Sequence, residues 1–200
     1  LLLKLQISGE SSEVDLKFTE PYFLDRPLSA GVDLFRKTRD LSSESSLERS
    51  STGGGLRMGY NISDRLSQNF AYSLSHDVIE NISSTASLAV REQEGSSVKS
   101  EIGQGLTYDT RDNRGEPTKG LIARYNIDIA GLGGSVKYVR NRVRATQFFP
   151  IADQLVASLT GGAGYIVGLG EDTRIIDRFF LGGTTLRGFA NFGVGPRDIT

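Results

Sequence analysis

Several residue types that build catalytic and metal sites are scarce or missing. The 200 residues include no cysteine, no tryptophan, one methionine and one histidine. The absence of cysteine excludes disulfide scaffolds, thiolate metal ligands and thiol nucleophiles. We interpret the single histidine, His76, as a solvated loop residue. One histidine is not enough to build a histidine metal cluster, and it gives no confident histidine-based nucleophile pair. We therefore expect no enzyme, no metal site and no cofactor.

An excess of one charge and long apolar runs are also lacking. The 23 Lys and Arg residues balance 24 Asp and Glu, which leaves a net charge of -1. This balance gives no electrostatic footprint for a nucleic acid, so we expect no nucleic-acid partner. No run of about 18 apolar residues occurs, which excludes a transmembrane helix. Because the first residues contain neither Met nor a basic leader, we expect a piece of a longer protein.

The sequence does contain a recurrent alternation of apolar and polar residues. Alternation over four to eight residues is the signature of a strand with one apolar and one polar face. No segment matches the apolar spacing of a helix as well as it matches this alternation. The alternation predicts nine strands, centred on the alternating residues of 1–7, 14–18, 28–34, 56–60, 70–74, 102–108, 121–129, 136–149 and 155–165.

The connections between these strands alternate in kind. Tight turns are predicted at 20–27, 62–66, 108–120 and 150–154, where Pro, Asp, Asn and Gly collect. The intervening connections are mostly longer and polar, at 36–52, 76–99 and from 168 onward, with short members at 8–12 and 130–135. In an up-and-down antiparallel sheet this places the tight turns on one rim and the long loops on the other.

Two architectures produce this alternation, a soluble β-sandwich and a transmembrane β-barrel. Strands of about nine to eleven residues favour the barrel, since soluble strands are commonly shorter. Aromatic residues near strand ends also favour it, as an interfacial girdle. These aromatics are Tyr22, Phe23, Tyr60, Phe70, Tyr72, Tyr108, Phe148 and Phe149. We predict an all-β, antiparallel, up-and-down transmembrane barrel, with the sandwich as the alternative.

A row of arginines tests which face meets lipid. Arg140, Arg142 and Arg144 share one parity, and each arginine facing lipid at the bilayer midplane costs about 2–4 kcal/mol. We therefore predict that they face the lumen, together with Arg124 and Asp128. Asp128 and Glu101 are candidate partners on the preceding strands. The alternative is a basic ladder that only keeps the interior wet.

Two motifs resemble a known family. Tyr-Asp-Thr-Arg-Asp-Asn over 108–113, with Pro-Thr-Lys-Gly over 117–120, resembles a turn of BamA-like outer-membrane barrels, the proteins that insert other β-barrels. The stretch 177–189 contains Gly-Gly and Arg-Gly-Phe and is similar to that family's sixth extracellular loop. The stretch 19–23 also resembles a periplasmic turn of the family. Leu186 departs from the Val that the family often has.

The resemblance implies a domain organisation. In that family a barrel of sixteen strands follows periplasmic POTRA domains, and the Arg-Gly-Phe loop comes after the eleventh strand. Residues 1–200 are then expected to be the central part of one barrel domain, about nine to ten strands ending in that loop. The POTRA domains and the remaining strands are expected outside this chain.

The resemblance also implies function, location and partners. It implies an assembly factor that inserts and folds β-barrel proteins in the bacterial outer membrane, or in the outer membrane of an endosymbiotic organelle. Its partners would be unfolded outer-membrane protein clients, accessory assembly lipoproteins and the lipid bilayer. The alternatives are a two-partner-type secretion pore, a passive porin and a soluble β-sandwich binding module.

The resemblance finally implies which residues are functional. The loop motif comprises Gly182, Gly183, Arg187, Gly188 and Phe189, and the periplasmic turn motif comprises Asp109, Arg111, Asp112 and Gly120. Glycine permits backbone conformations closed to other residues, so the loop is expected to fold back tightly. Arg187 would then contact an acidic or aromatic wall residue inside the lumen. The alternative is a glycine-rich surface loop whose Arg and Phe are incidental.

Overall fold

One antiparallel sheet makes up nearly all of the fold. The computed structural model describes residues 1–8, 11–40, 48–82, 91–182, 187–189 and 194, with the side chain of Asp40 left out. The described residues form nine strands that lie in sequence order, each paired with the next. They are β1 (Leu2–Ile7), β2 (Ser11–Glu20), β3 (Leu28–Asp40), β4 (Glu48–Asn61), β5 (Leu66–Glu80), β6 (Gly95–Asp109), β7 (Gly120–Ala130), β8 (Tyr138–Ala152) and β9 (Leu155–Gly168). The predicted all-β, up-and-down antiparallel topology is confirmed.

Helical structure is minor in the part of the chain that the structure describes. It includes two 3₁₀ turns, Phe23–Asp25 in the connection between β2 and β3 and Ile175–Asp177 after β9. Within the described residues, no helix has the length and apolar character needed to cross a membrane.

The pairing register sorts the side chains onto two faces, because directly paired residues point to the same side. We call one side the apolar face; its members include Val14, Leu16, Phe18, Val32, Leu34, Leu56, Met58, Tyr72, Leu74, Ile102, Tyr125, Val143 and Tyr165. We call the other side the charged face; its members include Lys4, Glu13, Asp15, Asp33, Lys37, Arg49, Arg57, Asp77, Lys99, Glu101, Arg124, Asp128, Arg140, Arg142 and Arg144.

The conventional hydrophobic core is small. Ala130, Val136 and Tyr138 are buried together, with Ile166 packed beside them. On the apolar face, by contrast, large side chains are exposed, with Leu159 at 71% and Tyr165 at 66%. A sandwich would cover such a face with a second sheet, whereas the described strands all belong to one sheet. An uncovered apolar face is what a barrel wall presents to lipid.

The structure corrects several sequence-based boundaries. Apart from β1, the strands contain 10 to 15 residues, so most are longer than the predicted nine to eleven. The predicted loops 36–52 and 76–99 shrink to the gaps between β3 and β4 and between β5 and β6. His76 is consequently a strand residue, paired with Thr52 on the apolar face, and not a loop residue. The alternation ended early because apolar side chains give way to polar ones while the backbone ladder continues.

One girdle residue was also assigned to the wrong face. Phe148 pairs with Gly120 and Ser158 and therefore lies on the charged face. Its neighbour Phe149 points to the apolar face, as a girdle residue should. Two adjacent aromatics in one strand must point to opposite sides, so only one of them belongs to an interfacial belt.

Candidate functional site

The base of the loop after β9 is fastened to the charged face. The Arg174 guanidinium forms ion pairs with Asp77, at 3.3 Å from Nη2 to Oδ2, and with Asp177, at 2.6 Å from Nε to Oδ2. It also donates a hydrogen bond to Ser97 Oγ. Asp77 belongs to β5 and Ser97 to β6. One side chain of the loop therefore holds the loop against two neighbouring strands.

The two carboxylates at this point are buried. The Asp77 side chain has no exposed surface and that of Asp177 is 3% exposed. Arg49 Nη2 lies 3.4 Å from Asp77 Oδ1, and Lys99 Nζ lies 3.8 Å from Asp177 Oδ1. We call this five-residue cluster the loop anchor: Arg49, Asp77, Lys99, Arg174 and Asp177. Buried charges are tolerated only when paired, so each member depends on the others.

An aromatic contact extends the attachment toward β9. Gly164 lies on the charged face of β9, and a Cβ atom placed there would come within 2.6 Å of Phe179 Cζ. The Phe179 ring therefore occupies the space that any other residue at 164 would fill. Upstream, the backbone N–H of Ile175 donates to Gln93 Oε1 at 3.1 Å. The loop base thus contacts the wall through charge, hydrogen bonding and packing.

The loop tip follows this base, and the structure describes part of it. Gly182 and Gly188 have φ angles of +129° and +92°, in the left-handed region that favours glycine. Val194 N donates to Leu181 O at 3.3 Å, which brings the two ends of the tip together. Arg187, Gly188 and Phe189 are exposed. Gly183 lies outside the described residues.

The arginine row is paired at one end and bare at the other. Arg140 Nη2 lies 3.3 Å from Glu101 Oε2 and 3.0 Å from Asp128 Oδ2, and Arg142 Nη2 lies 2.9 Å from the same Asp128 oxygen. Arg124 and Arg144 are exposed and sit directly opposite each other on β7 and β8. Like charges in directly opposite positions repel each other, so this end of the row is stable only where water surrounds the two guanidinium groups.

Tyr138 completes the paired end. Its hydroxyl donates to Glu101, and the Arg140 guanidinium lies 5.2 Å from its ring centroid. Tyr138 is also a member of the small buried cluster. Arg140 is therefore fixed by two carboxylates and a cation–π contact, which makes it a structural residue of the wall.

The turn between β6 and β7 is closed by its own side chains. Arg111 forms a two-pronged contact with Asp109, at 2.9 Å from Nε to Oδ1 and 2.8 Å from Nη2 to Oδ2. The Thr110 hydroxyl accepts from Leu121 N at 2.9 Å. Gly120 has a φ of +105°, and a Cβ there would strike the Thr110 carbonyl. The four motif residues predicted here thus lie in one compact turn, with Asp112 at its centre.

Asp112 accepts three hydrogen bonds inside that turn. The Thr118 hydroxyl donates to Oδ2 at 2.5 Å, and the backbone N–H groups of Thr118 and Lys119 donate to Oδ1 at 3.0 and 3.1 Å. The Thr118 hydroxyl, followed by these N–H groups, lowers the pKa of Asp112 well below its usual range. The Asp109 carboxylate raises the pKa of the Arg111 guanidinium. The Asp112 carboxylate and the Arg111 guanidinium are therefore both charged across the physiological pH range.

The sequence prediction missed the loop anchor. A signal existed for Asp77, because alternation with Ser73 and Ser75 places it on the polar side of β5. No signal pointed to Arg174, which lies in an irregular segment far along the chain. Its partners become neighbours only when the loop folds back over the charged face.

Comparison with known proteins places this wall in a family. The model described as the Omp85 superfamily domain matches residues 1–200. The chain is 33% identical over 201 residues to the outer membrane protein assembly factor BamA of Neorickettsia risticii, covering 100% of this chain and 27% of that protein. It is 34% identical over 120 residues to the mouse sorting and assembly machinery component 50 homolog, covering 58% of this chain and 26% of that protein.

A solved structure shares the fold. The chain superposes on the crystal structure of BamA from Haemophilus ducreyi lacking POTRA domains 1–3 with a TM-score of 0.85 and 22% identity, covering 97% of this chain and 40% of that one. The chain spans about a quarter of the length of the curated relatives it matches. The sheet is therefore a barrel-wall segment, and the chain belongs to the Omp85 superfamily.

Proposed function

We propose that this chain is the central wall of an outer-membrane barrel that inserts and folds other β-barrel proteins. The relative that aligns over the whole chain at 33% identity is named an outer membrane protein assembly factor, which is the observation that carries the proposal. The location is the bacterial outer membrane, with the outer membrane of an endosymbiotic organelle as the alternative, since one similar protein comes from mouse. Its clients are unfolded outer-membrane proteins, accessory lipoproteins assist it, and no covalent bond is made or broken.

Within that barrel, the apolar face meets lipid and the charged face lines the lumen. Exposed apolar side chains support the first assignment, because lipid is the solvent that tolerates them. The exposed, opposed pair of Arg124 and Arg144 supports the second, because a wet lumen solvates both. Arg140, Arg142 and Asp128 then belong to the lumenal side of the wall. The turn of Asp109, Arg111, Asp112 and Gly120 faces the periplasm.

The loop motif then acts from inside the lumen. The loop anchor fixes the loop base to the wall, and the positive φ angles of Gly182 and Gly188 let the tip reverse. Arg187 is exposed in this segment and is therefore free to reach strands beyond it. We assign it a contact with an acidic or aromatic residue there, which steadies the lumen while the wall opens beside a client. Phe189 packs next to that contact.

The test uses the full-length protein reconstituted in vesicles. A urea-unfolded barrel client is added, and its insertion is followed by heat-modifiable gel mobility and by protease protection. Arg187→Ala is expected to slow insertion about tenfold, which corresponds to losing about 1.4 kcal/mol. Lys137→Ala, an exposed cation in another loop of the same rim, is the control and should leave the rate unchanged. The proposal would be overturned in favour of a secretion pore if the wild-type protein passed the polypeptide across the vesicle membrane without inserting it.

A further inference from the structure

The apolar face carries a groove where β4 lacks a side chain. Gly54 points to this face and forms the floor, while Leu34 and Leu74 on the neighbouring strands, with Leu56 and Tyr72 beside them, form the walls. The groove holds about 590 Å³ of open space. That volume is in the range of about 300–1,000 Å³ typical of small-molecule sites. Its lining suits a flexible hydrocarbon.

A single cation stands beside this groove. In the described strands, Arg36 is the only Lys or Arg that the register places on the apolar face. It is exposed and lies on β3 one outward position beyond Leu34. The other cations of these described strands all point to the charged face. Arg36 is therefore an exception, and it lies next to the groove.

Polar groups flank Arg36 at the same end of the groove. Thr52 is its direct cross-strand partner, and His76 is the direct partner of Thr52 on the next strand. Both residues line the groove. A guanidinium, a hydroxyl and an imidazole in one row are groups that donate hydrogen bonds to phosphate oxygens.

The depth of Arg36 agrees with this chemistry. Toward the tight turns, the outward residues of β3 are apolar, from Leu34 back to Leu28, and toward the loops the next one is Thr38. Arg36 therefore marks the border between hydrocarbon and headgroups on the loop-bearing side. There an outward arginine costs far less than at the bilayer midplane, because its guanidinium reaches water and headgroups.

We propose that this groove binds a membrane lipid with an anionic phosphate headgroup: an acyl chain lies over Gly54, and Arg36, Thr52 and His76 hold the phosphate. The occupant is a lipid because the apolar face meets the bilayer. It is anionic because Arg36, the one outward cation of the described strands, lies directly opposite Thr52, which lines the groove. The proposal rests on the membrane orientation of the proposed function, but not on client insertion.

The experiment places a photoreactive amino acid at Leu56 in the full-length protein, in vesicles of phosphatidylcholine and phosphatidylglycerol. Mass spectrometry of the crosslinked lipid is expected to show phosphatidylglycerol enriched about fivefold over its mole fraction, as one interfacial basic residue provides. The same photoreactive residue at Ala163, on the apolar face of β9, should capture the lipids in proportion to the mixture.

Variants separate headgroup from acyl chain. Arg36→Gln should abolish the enrichment and Arg36→Lys should preserve most of it. Gly54→Leu should reduce total capture at Leu56 several-fold, with Gly54→Ala as a milder filling of the floor. Gly161→Leu is the matched control, because Gly161 also faces outward and a Cβ there meets nothing within 4 Å.

The outcomes are decisive for the groove. Proportional capture at Leu56, or enrichment that survives Arg36→Gln, would overturn the proposal. Loss of enrichment in excess inorganic phosphate would reassign the row to a free anion. Client insertion is measured on the same preparations. Insertion without enrichment rejects the lipid site alone, whereas enrichment without insertion supports the site and rejects the proposed function.

Discussion

The two rims of the wall are stabilised in opposite ways. At the turn between β6 and β7, the hydrogen bonds of Asp112 and Thr110 join residues six to eleven positions apart. At the loop-bearing rim, the bonds of Arg174 to Ser97 and Asp77 join residues 77 and 97 positions apart. The turn therefore forms from its own sequence, whereas the loop base exists only where the wall is already assembled.

This difference has a mechanical consequence. A local turn keeps its shape when neighbouring strands shift, because all its partners move with it. The loop anchor joins β4, β5 and β6 to a segment beyond β9 and so responds to the geometry of the whole wall. Changes to the anchor should therefore affect the barrel globally, and changes to the turn should remain local.

The largest effect is expected from Arg174→Ala. This change leaves the buried carboxylates of Asp77 and Asp177 with weaker compensation, and we expect the full-length barrel to lose about 2–4 kcal/mol of unfolding free energy. Breaking a buried ion pair can cost up to about 5 kcal/mol. We expect a smaller loss here because Arg49 still pairs with Asp77 and Lys99 still pairs with Asp177. Urea titration followed by heat-modifiable gel mobility measures it.

The control for that change is Arg178→Ala. Arg178 lies in the same segment, but its exposed guanidinium donates to the carbonyl and the hydroxyl of Thr173 and not to a strand of the described wall. It should cost less than about 0.5 kcal/mol. Equal losses in the two variants would mean that the loop anchor does not couple the loop to the wall.

A smaller effect is expected from Gly164→Ala. The added methyl group would take the place of the Phe179 ring, and overpacking of this kind costs about 1–3 kcal/mol. The ring would leave the wall, so protease cleavage within 179–189 should become faster. Gly161→Ala adds the same methyl group to the same strand on the other face, where the space is open. If both variants are cleaved at the wild-type rate, Phe179 does not hold the loop.

The sequence predicted the features that depend on neighbouring residues and missed those that depend on distant ones. Alternation located all nine strands, because the period of two is a property of neighbouring residues. The Asp-Thr-Arg-Asp turn was located because its partners lie within it. Phase also placed Arg140, Asp128 and Glu101 on the polar faces of their strands. The register that pairs them could not be derived from the sequence and comes from the structure.

The remainder depended on distant residues. His76 was assigned to a loop because the apolar signal fades there, although backbone pairing continues to Glu80. The exception of Arg36 on the apolar face has meaning only beside Gly54, one strand away. The role of Arg174 required knowing that a segment after β9 returns to β5 and β6. Local patterns in a single sequence do not show which distant residues become neighbours in the fold.

At the turn rim, Gly120→Ala is expected to cost about 1–2 kcal/mol. Its positive φ and the nearby Thr110 carbonyl leave no place for a Cβ, and a strained backbone position of this kind costs on that order. Protease sensitivity should rise within 110–120 only, with the loop after β9 unchanged. Gly115→Ala in the same turn meets only an ordinary contact with Asn113 and should be neutral. Increased cleavage at the other rim would refute the separation of the two rims.

The smallest effect is the pH dependence of Asp112→Asn. The pKa of this carboxyl is lowered in the folded turn, chiefly by the Thr118 hydroxyl. A lowered folded pKa contributes stability that is present above the usual carboxyl value of about 4 and is lost as the pH falls through the folded value. The melting-temperature difference between wild type and variant should therefore be constant from about pH 5 to pH 8 and shrink below about pH 4. Thr118→Val removes the main donor and should reduce the neutral-pH difference, because the backbone N–H groups of residues 118 and 119, which remain, account for less of the lowering. A difference that does not change with pH would mean that the charge of Asp112 plays no part in closing the turn.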